Sequence, residues 1–147
     1  MNIVIDTIES TAKLIGFTNM PSFRVHFSSA VFKGIARFVP ASGTSDQCKG
    51  SQFGVEICQE YVTDFRILDS PNLARIDSTG EDGCFHVCGA IHAVMDCSEL
   101  AGNRITYAAV GDAIFTLTLA DTCGLKPNEG TVVEFIAHDI SLWDDEI

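Results

Sequence analysis

Four residues able to bind soft metals or act as nucleophiles fall close together in Cys84-Phe85-His86-Val87-Cys88-Gly89-Ala90-Ile91-His92. On a β-strand alternate residues face the same way. Cys84, His86, Cys88 and His92 would then line one face, with Phe85, Val87 and Ile91 on the other. Cysteine and histidine are zinc ligands of matched softness, and Cys97 follows nearby. Zinc is therefore the one cofactor the chain suggests, and thiol chemistry is the other use of such a stripe. Against both stands the absence of any C-x2-C pair. Cysteine is also commonly a small buried hydrophobe, so plain packing is the expected role of this stripe.

Other chemistries find less support. No G-x-S-x-G elbow is present, and no cysteine has a protease-like sequence context. Gly43 followed by Cys48-Lys49-Gly50 departs from a phosphate cradle, with Cys in place of the second Gly and Gly in place of the Ser or Thr. Asp77-Ser78-Thr79-Gly80-Glu81-Asp82-Gly83 lacks the Gly at position six of a calcium loop and reads as a turn of solvated acids. Glu56, Glu60 and Asp64, and the terminal Asp144-Asp145-Glu146, read as outward carboxylates rather than an acid–base pair. An enzyme is accordingly not the leading expectation.

The elements that must position these residues follow from hydrophobic phase. Phe53, Val55, Ile57, Tyr61, Phe65 and Ile67 share one phase, which predicts a long strand or two strands joined near Gln59. Residues 84–95 predict a strand. Ile105 to Leu119 predict a hairpin broken at Gly111-Asp112, where Gly supplies the positive φ of a type II′ turn. Residues 131–143 predict one more strand. Its phase slips between Phe135 and Ile140, and a bulge over Ala137–Asp139 accounts for that. Phe23, Val25 and Phe27 alternate, and an apolar strand follows over residues 30–39. Asp6 with Glu9 resembles a capping box, and Ile8, Ala12 and Ile15 have helical spacing, so a helix is expected over residues 7–15. The β-branched Thr7, Ile8 and Thr11 favour a strand there instead. Residues 40–52 form the one long loop.

Residues 55–69 and 133–144 share a faint echo of pattern, Val55-Glu56-Ile57 against Val133-Glu134-Phe135. Any two amphipathic strands look somewhat alike. A true repeat would mean two similar β units in one body. The 147 residues fit a single domain. The architecture expected is mainly β: an antiparallel barrel or sandwich of about eight strands with one short N-terminal helix.

Charge and composition bound the partners. The net charge is −11, yet 46% of residues are hydrophobic and mean hydropathy is +0.21. That apolar content excludes an acidic disordered chain, and the missing basic footprint argues against nucleic acid. No apolar run is long enough to span a bilayer. The opening residues lack the look of an export signal, so the six cysteines are expected reduced and the protein cytoplasmic.

Residues 1–50 hold five basic residues against three acidic, a sum of +2, whereas residues 51–147 hold four against seventeen, a sum of −13. Ten of thirteen aromatics are Phe. Phe23, Phe27 and Phe32 lie in the mildly basic first third, with Arg37 and Lys49, and Trp143 is a further contact candidate. More Phe falls here than one core face needs, which suggests burial against a partner or a pocket. The leading expectation is a non-catalytic module that self-associates and binds a protein or small apolar ligand. An acidic inhibitor that neutralises a basic partner is the alternative. A metal- or thiol-dependent protein built on the Cys/His stripe is the third.

Overall fold

The computed structural model describes residues 1–9, 13–15, 20–42, 48–69, 74–97 and 103–147. Twelve strands run through them: β1 (Asn2–Ile8), β2 (Lys13–Ile15), β3 (Met20–Ser29), β4 (Lys33–Val39), β5 (Gln52–Cys58), β6 (Tyr61–Leu68), β7 (Arg75–Ser78), β8 (Phe85–Cys97), β9 (Asn103–Val110), β10 (Ala113–Leu117), β11 (Val132–His138) and β12 (Ser141–Asp144). The first sheet has the order β1-β5-β12-β4-β3, and β1 also pairs β3, so these five strands close into a barrel, with β2 added on β3. The second sheet has the order β10-β9-β8-β11-β6, with β7 on β8. The mainly β expectation holds. Among the described residues no helix is long and apolar enough to cross a membrane.

Three expectations need correction. Among the described residues the strands number twelve rather than about eight, because the run over 131–143 divides, the run over 53–67 takes its two-strand form, and the short β2 and β7 carry little pattern. The helix over 7–15 does not form at either end. Thr7 and Ile8 pair with His26 and Val25, and residues 13–15 pair with residues 20–22. Residues 10–12 lie outside the described residues. The β-branched residues, with Ile3 and Ile5 buried at period two, outweigh the helical spacing. The phase slip at 137–139 is not a bulge within one strand. Asp139 takes a φ of 51°, and there the chain leaves the second sheet as β11 and enters the barrel as β12. Two sheets present two inner faces, so the apolar phase changes with the sheet.

The same crossing occurs in reverse between β5, in the barrel, and β6, in the second sheet. The crossing segments are each other's partners: β12 lies antiparallel to β5, with Ser141 opposite Cys58, and β11 lies antiparallel to β6, with His138 opposite Tyr61.

Two units of one topology result. Strands β4-β3-β1-β5 of the first unit match β10-β9-β8-β11 of the second, and each unit lends its fifth strand, β6 or β12, to the other's sheet. Registers agree as well. Ser28 opposite Lys33 corresponds to Ala109 opposite Ile114. The first strand of each unit carries one extra residue against the second strand, Asp6 in one and His92 in the other. Cys58 and His138, like Tyr61 and Ser141, stand 80 positions apart (138 − 58 and 141 − 61) in equivalent places. The echo in the sequence therefore falls on segments that are structural counterparts, although its residue-by-residue alignment is two positions off at 55–57 and five off at 64–69.

One core joins the units. Phe27 and Phe32 of the first unit meet Phe85 of the second, with ring centroids 6.3 and 5.2 Å from that of Phe85. A Cβ on Gly34 would sit 2.6 Å from Phe85 Cε1, so that position must be glycine for the ring to lie against β4. Phe23, Phe27 and Phe32 are 8%, 1% and 6% exposed. They pack in the core: filling a barrel and bridging to a second sheet consumes the Phe that looked surplus for one face. The hairpin at Gly111-Asp112 forms as expected, with Val110 opposite Ala113 and Gly111 at φ 58°.

Candidate functional site

The two crossings and β4 enclose a cleft of about 530 Å³. The sequence builds it from separate places. Ile35, Ala36 and Arg37 come from β4, Arg24 from β3, Gln59 and Glu60 from the first crossing, and Asp139, Ile140 and Ser141 from the second, with Trp143 on β12. The Asp82-Gly83 turn closes one side. Gly83 donates its N–H to Ile35 O (2.8 Å) and accepts from Ile140 N (2.9 Å), while Arg37 N donates to Ile140 O (3.3 Å). Its φ of 68° and the 3.2 Å a Cβ would leave to Ile140 N make glycine the residue that fits this wedge.

Two arginines face each other across the cleft wall, Arg24 opposite Arg37 in the β3–β4 ladder. Like charges directly opposite repel. Arg24 is neutralised: Nε and Nη2 donate to the two Asp82 carboxylate oxygens at 2.5 and 3.2 Å, and Nη1 donates to Glu9 Oε1 at 2.8 Å. The bond from Asp82, then that from Glu9, raises the Arg24 pKa above its ordinary value, and the same fork holds the Asp82 carboxyl below its own. Arg37 has no such partner. Among the described residues its guanidinium makes no hydrogen bond or ion pair, and the same holds for the cleft carboxylates of Glu60 and Asp139. Trp143 donates its indole N–H to Ser141 Oγ at 2.8 Å, which fixes the ring at the cleft with its polar edge satisfied. The cleft thus offers Arg37, whose charge acts on Asp82 without forming an ion pair, and the carboxylates of Glu60 and Asp139, beside apolar surface from Ile35 and Trp143.

Of the candidate residues, Arg37 and Trp143 come together here. Lys49 is exposed on the turn before β5, away from the cleft lining. Within the Cys/His stripe, His86 and Cys88 keep one phase, opposite Ile136 and Glu134, and His92 leaves it at the extra residue of β8. Cys84 precedes β8 and is buried. His86 lies 3.5 Å from Glu134. Cys88 is 1% exposed, and burial pushes its thiol up. His92 is exposed at its unpaired position. Among the described residues no three Cys, His, Asp or Glu side chains converge as a metal would need. Phe85, Val87 and Ile91 do face the core as expected.

Glu56, Glu60 and Asp64 are exposed as expected, but Asp144 is buried and accepts from Ala41 N and Glu146 N at 3.2 Å each. Cys58, Cys84, Cys88 and Cys123 carry free thiols. Arg24, Asp82, Glu60 and Ile140 were not legible as site residues. Glu60 was read as an outward carboxylate and the Asp82-Gly83 turn as a solvated loop, neither as part of a site. No family model, curated protein or solved structure matches the chain.

Proposed function

We propose that this protein is a non-catalytic binding module that holds a small ligand in the cleft where its two units cross. The ligand has an apolar body and an anionic group. The observation that carries this is Arg37: a guanidinium with no ion pair among the described residues, beside Trp143 and Ile35, in a chain of net charge −11. Arginine recognises carboxylate or phosphate through paired donors, and about 530 Å³ falls in the range of small-molecule sites. Binding would also relieve the Arg24–Arg37 repulsion. A fragment screen by protein NMR, with matched carboxylates and carboxamides, tests the reading. Carboxylates with an aromatic or branched body should shift the amides of residues 35–37, 58–60 and 139–143, and the amide analogues should not. Shifts elsewhere, or equal response to both series, contradict it.

A second reading, pairing of two copies, is favoured by exposed Tyr61 (47%) and Ile67 (40%) on β6, the last strand of its sheet. Edge strands with apolar side chains invite pairing. Sedimentation should then find a dimer that Ile67→Lys dissolves; a monomer at high concentration removes this reading.

A further inference from the structure

We propose that Cys84 is a reactive thiol, with His138 as its base, whose substrate is a small hydroperoxide. This is independent of ligand binding in the cleft. The ladders bring the groups together: Phe85 lies opposite Ala137, which carries the preceding Cys84 toward His138, and His138 lies opposite Tyr61. Cys84 Sγ is 3.5 Å from His138 Nδ1. His138 Nε2 is 2.7 Å from Thr63 Oγ1. The Tyr61 ring stacks on the imidazole, with centroids 4.4 Å apart and planes within 7°.

A nucleophile, a base within reach and a third group that orients the base form the general pattern of an activated nucleophile. In the Nε2–H tautomer Thr63 Oγ1 accepts from Nε2–H, and the Nδ1 lone pair is left for the thiol proton. After transfer, Nδ1–H points at the thiolate and Nε2–H still points at Thr63. Every polar atom of the pair keeps a partner in both states.

This cluster is the second unit's counterpart of the cleft seam. His138 occupies the place of Cys58, Tyr61 that of Ser141 and Thr63 that of Trp143. Tyr61 and Thr63 are exposed and His138 half-buried, so the base borders solvent. Cys84 itself is 5% exposed. So little exposed surface disfavours a bulky substrate, and a small hydroperoxide is the class that fits.

In the step, the Cys84 thiolate attacks one peroxide oxygen and the O–O bond breaks. The departing hydroxide takes the proton from the His138 imidazolium and leaves as water. The other oxygen and its hydrogen remain on sulfur as a sulfenic acid. Sulfur is oxidised by two electrons and the peroxide is reduced by two.

The test exposes the full chain to hydrogen peroxide for timed intervals, removes the peroxide with catalase, unfolds the protein in dimedone, which traps sulfenic acid, and follows each cysteine by peptide mass spectrometry. Proton transfer to a positioned base is worth roughly a hundredfold. Cys84 should be trapped about that much faster than the exposed Cys123. His138→Gln should bring Cys84 down to the rate of buried Cys88. Thr63→Val, at an exposed position, should slow it several-fold and keeps the test valid if His138→Gln fails to fold. Trapping of Cys84 no faster than Cys123, or a rate that neither substitution changes, overturns the proposal.

Discussion

In the first unit β4 runs on to Val39 and takes β12 as a parallel neighbour, with Ser141 opposite Arg37 and Trp143 opposite Val39. In the second unit β10 ends at Leu117, and β6, which holds the place of β12, gains no such neighbour among the described residues. A local turn explains the difference. Thr118 donates both its N–H and its hydroxyl to Asp121 Oδ2 at 2.8 Å. Cys123 and Gly124 then adopt positive φ, and Gly124 N donates to Leu119 O. A chain turning over residues 118–124 cannot continue an extended ladder. One topological frame thus yields a sealed seam with a cleft and an open seam with a thiol–imidazole pair. Chemistry gathers at both because these are the places where the two chain crossings leave side chains that neither core needs.

The largest effect should come from the core that the units share. Phe85→Ala removes the ring between Phe27 and Phe32 and should cost about 3–5 kcal/mol. Chemical denaturation should still show one transition, because the cluster belongs to both units; two separated transitions would mean that the units are independent. Gly34→Ala presses a methyl on that same ring and should cost about 1–3 kcal/mol. Asp121→Ala releases the turn that ends β10 without touching the first unit. Hydrogen exchange should quicken at residues 117–124 and stay unchanged at residues 37–39. Equal change in both regions would contradict the separation of the seams.

The smallest effect concerns the exposed fork on Arg24. The Asp82 carboxyl titrates below its reference value of 3.8 in the folded state because of Arg24. Its stabilisation is therefore complete above that reference value and is lost as pH falls through the lower folded value. Solvent screens the pair heavily. The melting temperature of Asp82→Asn should lie slightly below that of the parent at pH 6, and the two should converge as pH drops below 3.8.

Much of the strand pattern was legible because burial at period two is a local property: Val55 and Ile57, and Phe85 and Val87, are buried in phase. Sheet membership was not legible. A phase slip at Asp139 looks the same whether the strand bulges or changes sheets, and only the partners of His138 and Ser141 distinguish the cases. The site was half legible. Arg37 and Trp143 were singled out by type, but their meeting depends on the parallel β4–β12 ladder between segments about a hundred residues apart (141 − 37). Cys84 was read with its strand neighbours His86 and Cys88, while its partner is His138 from another strand. Spacing along a strand reports which residues share a face and carries no record of which strand lies alongside.

Trp143 is the single tryptophan of the chain and borders the cleft, so its fluorescence reads the proposed site directly. Titration with 3-phenylpropionate should give a saturable change in its emission. With the uncharged amide, or with Arg37→Gln in a folded protein, binding should weaken roughly tenfold to a hundredfold. Equal affinity for acid and amide, or an Arg37→Gln variant that binds as the parent does, would contradict the account.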